Sequence, residues 1–177
     1  MRLSWLVLPG CLLLPTKLAA QTQCIASAAP CSTAVGALQV TITIGTTFDL
    51  SLSAATTDLP APNTAEYGAG FAATDGPVAT IRSNAPWALS ISALTSTWGA
   101  VSNQSETARP DKPAGDLSWA TYAAGPFTDL STAPVQVTTG APTVGMTVPL
   151  FYRTRYQWAL DTPGNYSLQV VFTIAAP

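Results

Sequence analysis

Alternation of apolar and smaller polar residues is the feature that most constrains this chain. Trp87, Leu89 and Ile91 share one alternating face, and a second run alternates from Tyr166 to Ile174. Because successive side chains on a strand point to opposite faces, such runs predict strands with one buried face. Beyond residue 20, no segment of ten or more residues shows helical periodicity. We therefore expect an all-β chain.

The alternating runs are short and are separated by turns rich in glycine and proline. About seven to nine such strands between residues 36 and 177 predict an antiparallel β-sandwich of immunoglobulin-like or pilin-like topology. A small β-barrel is the alternative. Only 9% of the residues are charged, which argues against a disordered tail or a coiled coil.

Four segments carry local expectations. The run from Leu38 to Ile44 alternates and is predicted to be a strand. The stretch from Ala54 to Pro77 predicts a surface excursion with at most one weak strand. Ser102 to Asp116 holds five charged residues and two prolines, so a solvated loop is predicted. Pro149 interrupts the donors of a strand from Met146 to Tyr156, which predicts a sheet edge or a bulge.

Residues 1–20 have the pattern of a secretory signal peptide, because Arg2 precedes a short apolar stretch that ends in Leu18-Ala19-Ala20. The apolar stretch is shorter than the roughly 20 residues that a membrane-spanning helix needs. Cleavage after Ala20 predicts a secreted or cell-surface protein with no transmembrane span. The alternative is a lipoprotein signal with Cys11 acylated, although the apolar stretch before Cys11 is short for a signal.

Removal of residues 1–20 leaves Cys24 and Cys31 as the only cysteines. An even number of cysteines in an exported chain predicts one disulfide, which would staple an N-terminal arm at residues 21–35. A redox or metal pair is the less favoured alternative. The β-sandwich domain is then expected over residues 36–177.

The composition excludes several kinds of chemistry. The chain has no histidine, so histidine-based acid–base catalysis and histidine metal sites are excluded. Seven basic residues against nine acidic ones leave no basic surplus for binding a nucleic acid. Most acidic residues fall in predicted loops, where they are usually solvated; a glycosidase pair and a calcium site are minor alternatives. We expect no catalytic residue, no metal and no cofactor.

Some exposed positions are candidates for ligand binding. Trp98, Trp119 and Trp158 lie at predicted strand ends or turns, where an indole ring can stack on a sugar. The favoured interpretation is that they cover the ends of the core. Arg153 and Arg155 alternate on one strand face and suit an anion through the guanidinium fork, but outward polar residues more often keep an edge soluble.

Cys24 and the segment from Thr162 to Ile174 carry a family resemblance. That segment is a Pro-Gly-Asn-Tyr turn followed by an alternating strand. The strand pair Val78–Ile81 and Trp87–Ile91 is a further matching feature. The layout resembles the secreted pilin-type β-sandwich subunits of bacteria, particularly the spore coat protein U-like group, which a chaperone and an usher assemble. The chain lacks that group's second cysteine in the middle strands, and only three residues separate the predicted cleavage site from Cys24.

The resemblance implies an incomplete sandwich that a strand from a neighbouring subunit completes. The donated side chains would be Val40, Ile42 and Ile44. The edge of the acceptor groove would be formed by Tyr166, Leu168, Val170, Phe172 and Ile174. The alternative is that both segments pair within one chain.

The sequence therefore predicts a secreted, non-enzymatic structural or adhesive subunit. The expected partners are further copies, other surface subunits and an export chaperone. A carbohydrate-binding module, with glycans as partners, is the alternative function, and a glycoside hydrolase is a weaker one.

Overall fold

The computed structural model describes residues 39–103 and 107–177. The predictions for the signal peptide, for Cys11, for the 21–35 arm and for the Cys24–Cys31 disulfide lie outside the described residues. Backbone contacts divide the chain into residues 1–42 and residues 43–177. All of the described strands belong to the second unit.

The described chain contains ten strands, one α-helix of six residues and one 3₁₀ turn, Ala114–Asp116. The elements in chain order are β1 (Phe48–Leu52), α1 (Thr64–Ala69), β2 (Phe71–Ser83), β3 (Trp87–Ala93), β4 (Gly99–Ser102), β5 (Leu117–Ala120), β6 (Thr128–Asp129), β7 (Val135–Gly140), β8 (Thr143–Arg155), β9 (Gly164–Ser167) and β10 (Val170–Ala175). The number of strands is slightly higher than predicted because pieces as short as the two-residue β6 pair with a neighbour.

Two antiparallel sheets and a separate ribbon make up the fold. The five-stranded sheet has the order β1-β2-β8-β5-β6, and the three-stranded sheet has the order β10-β3-β7. Strands β4 and β9 pair with each other. This arrangement confirms the predicted all-β, sandwich-like fold class.

The core lies between the inward faces of the two sheets. Ile81 from β2 and Leu89 from β3 are fully buried in one cluster, together with Trp87. A second cluster contains Trp98, Trp119 and seven further buried residues. Each fully buried large apolar side chain contributes about 1.5–3 kcal/mol, so the buried side chains at alternate positions of β2, β3 and β8 stabilise the fold.

Strand β8 occupies the middle of the five-stranded sheet, between β2 and β5. The predicted edge position was wrong, and the alternative of a bulge describes the structure. The pairing of β2 with β8 shifts register between Asp75–Phe151 and Val78–Pro149. Because the ladder is already interrupted there, Pro149 is accommodated without a missing donor in a regular hydrogen-bonded pair.

Helix α1 lies within the predicted surface excursion. It begins after Asn63, whose side-chain oxygen accepts hydrogen bonds from the Ala65 and Glu66 backbone amides. The Glu66 carboxylate in turn accepts from the Asn63 amide at 2.8 Å, which completes a capping box. Gly70 ends the helix with a φ of 79°. No helix in the described ranges is long and apolar enough to cross a membrane.

The predicted terminal strand is divided in two. Strand β9 pairs with β4, and β10 pairs with β3, so the chain changes partners at Leu168-Gln169. Leu168, Val170 and Phe172 nevertheless pack against the same core cluster. Alternation predicted the buried face correctly, but it carries no information about which strand lies alongside.

We predict that Gly140→Ala destabilises the protein by about 1–3 kcal/mol, because a Cβ at residue 140 would overlap the buried Trp87 indole. The indole cannot easily move, since its N–H donates to the Ala141 carbonyl at 2.9 Å. Urea unfolding measures the change. The matched control is Gly145→Ala, where open space surrounds the new methyl group and a change within about 0.5 kcal/mol is expected. Equal effects of the two substitutions would contradict the packing explanation.

Candidate functional site

Residues 39–47 belong to no helix or strand, although alternation predicted a strand over the first part of them. Val40, Ile42 and Ile44 are 83, 81 and 77% exposed. Three large apolar side chains this open to solvent, at alternate positions, are the pattern of a strand without its partner. We call residues 39–44 the unpaired segment.

The chain immediately after the unpaired segment is anchored by Asn84, which lies in the turn between β2 and β3. The Asn84 amide nitrogen donates to the Gly45 carbonyl at 2.8 Å, and its oxygen accepts from the Thr47 amide at 2.8 Å. These bonds fix the point at which the chain enters β1. Pairing with the sheet starts only at Phe48, opposite Ser83.

Among the strands of residues 39–103 and 107–177, β1 and β10 are each paired on one side only, and they lie next to each other across the core. We call them together the open edge. Phe48 and Leu50 from β1, and Phe172 and Ile174 from β10, are only partly buried against the same cluster, in contrast to its fully buried centre. A strand edge with one free row of N–H and C=O groups is a template for an added strand.

The structure separates the residues predicted to form an acceptor groove. Val170, Phe172 and Ile174 lie on β10 at the open edge, and Leu168 lies between β9 and β10. Tyr166 lies on β9, where its hydroxyl donates to the Thr162 carbonyl at 2.7 Å and accepts from the Arg109 amide at 2.9 Å. Those bonds give Tyr166 a role within the chain.

Two of the three tryptophans considered for ligand stacking are part of the core. Trp98 and Trp119 are only 5 and 6% exposed, and the Trp98 N–H donates to the Pro113 carbonyl at 3.1 Å. Both indoles are buried because the strand ends that carry them close the second core cluster, as the favoured interpretation held. Trp158, by contrast, is 64% exposed.

Trp158 belongs to an aromatic cluster with Tyr67 and Tyr156. Its ring stacks on that of Tyr67, with centroids 4.3 Å apart and an interplanar angle of 24°, and Tyr67 lies 5.7 Å from Tyr156. Burial raises the pKa of both phenols, and the nearby Asp161 carboxylate raises it further. Both tyrosines therefore remain neutral hydrogen-bond donors at physiological pH. Sequence patterns missed Tyr67 because it stands alone in the predicted surface excursion.

Lys112 is only 2% exposed, although it was predicted to lie in a solvated loop. Its ammonium donates to Asp161 Oδ1 at 3.0 Å and to Asp116 Oδ2 at 3.1 Å. A third bond, of 2.9 Å, reaches the Arg155 carbonyl. Arg109 adds a second cation, 3.2 Å from Asp161 Oδ1. We call Arg109, Lys112, Asp116 and Asp161 the buried charge cluster.

The solvated-loop prediction for Ser102 to Asp116 was thus wrong at its C-terminal end. The charges there are buried because two cations and two carboxylates, drawn from two segments of the chain, neutralise each other. Asp116 and Asp161 are 7 and 8% exposed and bind cations, so neither carboxylate is open to a substrate. Within residues 39–103 and 107–177, no three potential metal ligands cluster.

No protein-family model matches the chain, and no curated protein matches it in sequence. Function is accordingly inferred from the exposed and unpaired parts of the described structure. These parts are the unpaired segment, the open edge and the aromatic cluster.

We predict that Lys112→Met lowers the free energy of unfolding by roughly 3–5 kcal/mol, because it leaves two buried carboxylates without their ammonium partner. Chemical denaturation followed by circular dichroism measures the loss. The control is Arg82→Met, which removes an exposed ion pair with Asp49, 3.7 Å long, and should cost about 1 kcal/mol or less. A Lys112→Met protein as stable as the control would show that the cluster does not hold these loops.

Proposed function

We propose that this protein is a secreted, non-enzymatic structural or adhesive subunit that assembles by adding a strand of one copy to the sheet edge of another. The observation that carries this proposal is the unpaired segment, whose apolar side chains at 40, 42 and 44 are 77–83% exposed. Burying such a segment against a partner lowers the free energy, because apolar surface is removed from water.

The open edge is suited to receive that segment. Strand β10 (Val170–Ala175) contains neither a charged residue nor a proline, which are the usual means of protecting an edge from pairing. Its six residues are matched in length by residues 39–44. Main-chain hydrogen bonds would supply affinity, and alternate side chains packing beside Phe172 and Ile174 would set the register.

The expected gain is large enough to support assembly. Burying three exposed Val and Ile side chains contributes about 1.5–3 kcal/mol each. Ordering of the segment and loss of free motion on association oppose this gain, and the hydrogen bonds along the edge add to it. The net affinity is therefore set by how well the three side chains pack.

A second copy of the chain is the partner that the structure favours. Each copy carries both a donor, the unpaired segment, and an acceptor, the open edge. A contact between two different surfaces of identical copies repeats from one copy to the next, so it produces rings or open filaments. Two other partners would use the same edge. They are other surface subunits with a similar edge and an export chaperone that covers the edge before assembly.

We expect the exported chain to form concentration-dependent assemblies that survive mild denaturant, as measured by light scattering. The double substitution Ile42→Asp/Ile44→Asp should leave it monomeric, because it places charge on the side chains that would be buried. The control Thr41→Asp/Thr43→Asp adds the same charge to the same segment at the alternating positions and should leave assembly intact. Monomers at every concentration, or equal effects of both variants, would refute strand addition by this segment.

A carbohydrate-binding function is the second candidate, and the stacked Trp158–Tyr67 pair favours it. An exposed indole backed by a second ring offers a flat apolar surface of the kind that a sugar face covers. The carboxylates that the fold brings together, Asp116 and Asp161, are bound to cations and lend no support to a glycoside hydrolase.

For this second function we expect Trp158→Ala to weaken glycan binding by about tenfold, since it removes the stacking surface. A glycan array screened with the native chain identifies the ligand, and quenching of tryptophan fluorescence then gives the affinities. Tyr122→Ala is the control, because Tyr122 is a comparably exposed aromatic side chain, 71% accessible, outside the aromatic cluster. Unchanged binding by Trp158→Ala would remove the cluster from consideration.

A further inference from the structure

Arg153 occupies an unusual position on the outer face of the five-stranded sheet. Alternation along β8 turns Tyr152 and Thr154 into the core, which leaves Arg153 pointing outward. Its guanidinium carbon lies 4.2 Å from the ring centroids of both Phe71 and Phe127. Stacking between two rings holds the plane of the guanidinium group and restricts its motion.

The second ring is placed by a loop that requires glycine. Phe127 follows Gly125-Pro126, and Gly125 has a φ of 83°, a conformation that other residues rarely adopt. A Cβ at residue 125 would also approach the Phe127 ring to 2.8 Å. The loop between β5 and β6 thus folds back over the sheet and positions Phe127 against Arg153.

Arg153 also differs from the other cations in its charge balance. Of the five lysine and arginine side chains within residues 39–103 and 107–177, it is the one with no carboxylate within 4.0 Å. Its Nε–H is buried and has no hydrogen-bond acceptor in that part of the chain. A partly buried cation without a counter-ion is costly, and an anion would compensate it.

A pocket of about 270 Å³ opens beside this side chain. Arg153 and Ser118 line it, and Arg155 and Asp129 form an ion pair at its rim with an Nη2–Oδ1 distance of 2.6 Å. Two guanidinium groups against one carboxylate give the lining a formal charge of +1, within a chain whose net charge is −2. We call this the Arg153 pocket.

We propose that the Arg153 pocket binds a small carboxylate, of about the size of an acidic monosaccharide. A single negative charge matches the formal charge of the lining. The fork of a guanidinium group pairs with the two oxygens of a planar carboxylate, and its fixed plane reduces the entropy lost on binding. Ser118, the small residue opposite Arg153 on β5, lines the pocket and leaves room for the ligand.

The test uses the ¹⁵N-labelled exported chain and follows the arginine Nε–Hε signals by NMR. Sodium glucuronate is titrated at constant ionic strength, with sodium chloride and glucose as comparison solutes. We expect the Arg153 signal to shift to saturation with glucuronate, while chloride and glucose produce no saturable shift. An identical, non-saturating response to glucuronate and to chloride would overturn the proposal.

Variants separate the pocket from general charge effects. Arg153→Gln should weaken glucuronate binding at least about tenfold, whereas Arg82→Gln, which removes an exposed arginine from another part of the surface, should leave it unchanged. Phe127→Leu keeps every charge and removes one wall, so an intermediate loss is expected. Native-like backbone spectra establish that each variant folds, and unaltered affinity in Arg153→Gln would exclude this side chain as the anchor.

A competition experiment identifies the source of the carboxylate. A soluble polyuronate that competes with glucuronate would show that the pocket accepts an acidic residue within a glycan chain. Failure of the polymer to compete, with glucuronate still bound, would restrict the pocket to free small acids. The Ile42→Asp/Ile44→Asp variant should bind glucuronate normally, because this proposal does not rest on assembly.

Discussion

The buried ammonium of Lys112 is the interaction on which the arrangement of the loops depends. A lysine ammonium has three donors, and here they reach Asp116, Asp161 and the carbonyl of Arg155. These acceptors come from the 3₁₀ turn before β5, from the loop before β9 and from the end of β8. One cation therefore joins the segment before β5 to the segment between β8 and β9, which are more than 40 residues apart in sequence.

The same cluster also fixes the end of the fold that leads to the open edge. The Arg109 side chain binds Asp161, and its backbone amide donates to the Tyr166 hydroxyl on β9. Strand β9 is thereby held against β4 before the chain turns into β10. Strand β10 then pairs with β3, and no other described strand pairs with its second edge. The buried charge cluster thus helps to position β10, the strand that provides the open edge.

Alternation alone predicted the fold class and the buried faces of β3 and β10. It failed where the outcome depends on a partner that the local sequence does not identify. Residues 39–44 alternate as a strand does, but alternation cannot state whether the partner strand lies in the same chain. Lys112 looked like a solvated loop residue because Asp161, one of its two carboxylate partners, lies 49 positions away along the chain. Helix α1 was missed as well, because the predicted surface excursion was expected to contain at most one weak strand.

The buried Lys112 and the partly buried Arg153 differ in how the chain compensates their charge. Lys112 has carboxylates from within the chain, whereas Arg153 has only aromatic rings, which hold its plane without neutralising its charge. The Arg153 pocket is lined by β2, β8, β5 and β6 residues, toward the side of the five-stranded sheet opposite to β1. A strand added at the open edge would join the β1 side of the fold. The proposed assembly would therefore leave the pocket uncovered, and each copy would present its own proposed carboxylate site to the surroundings.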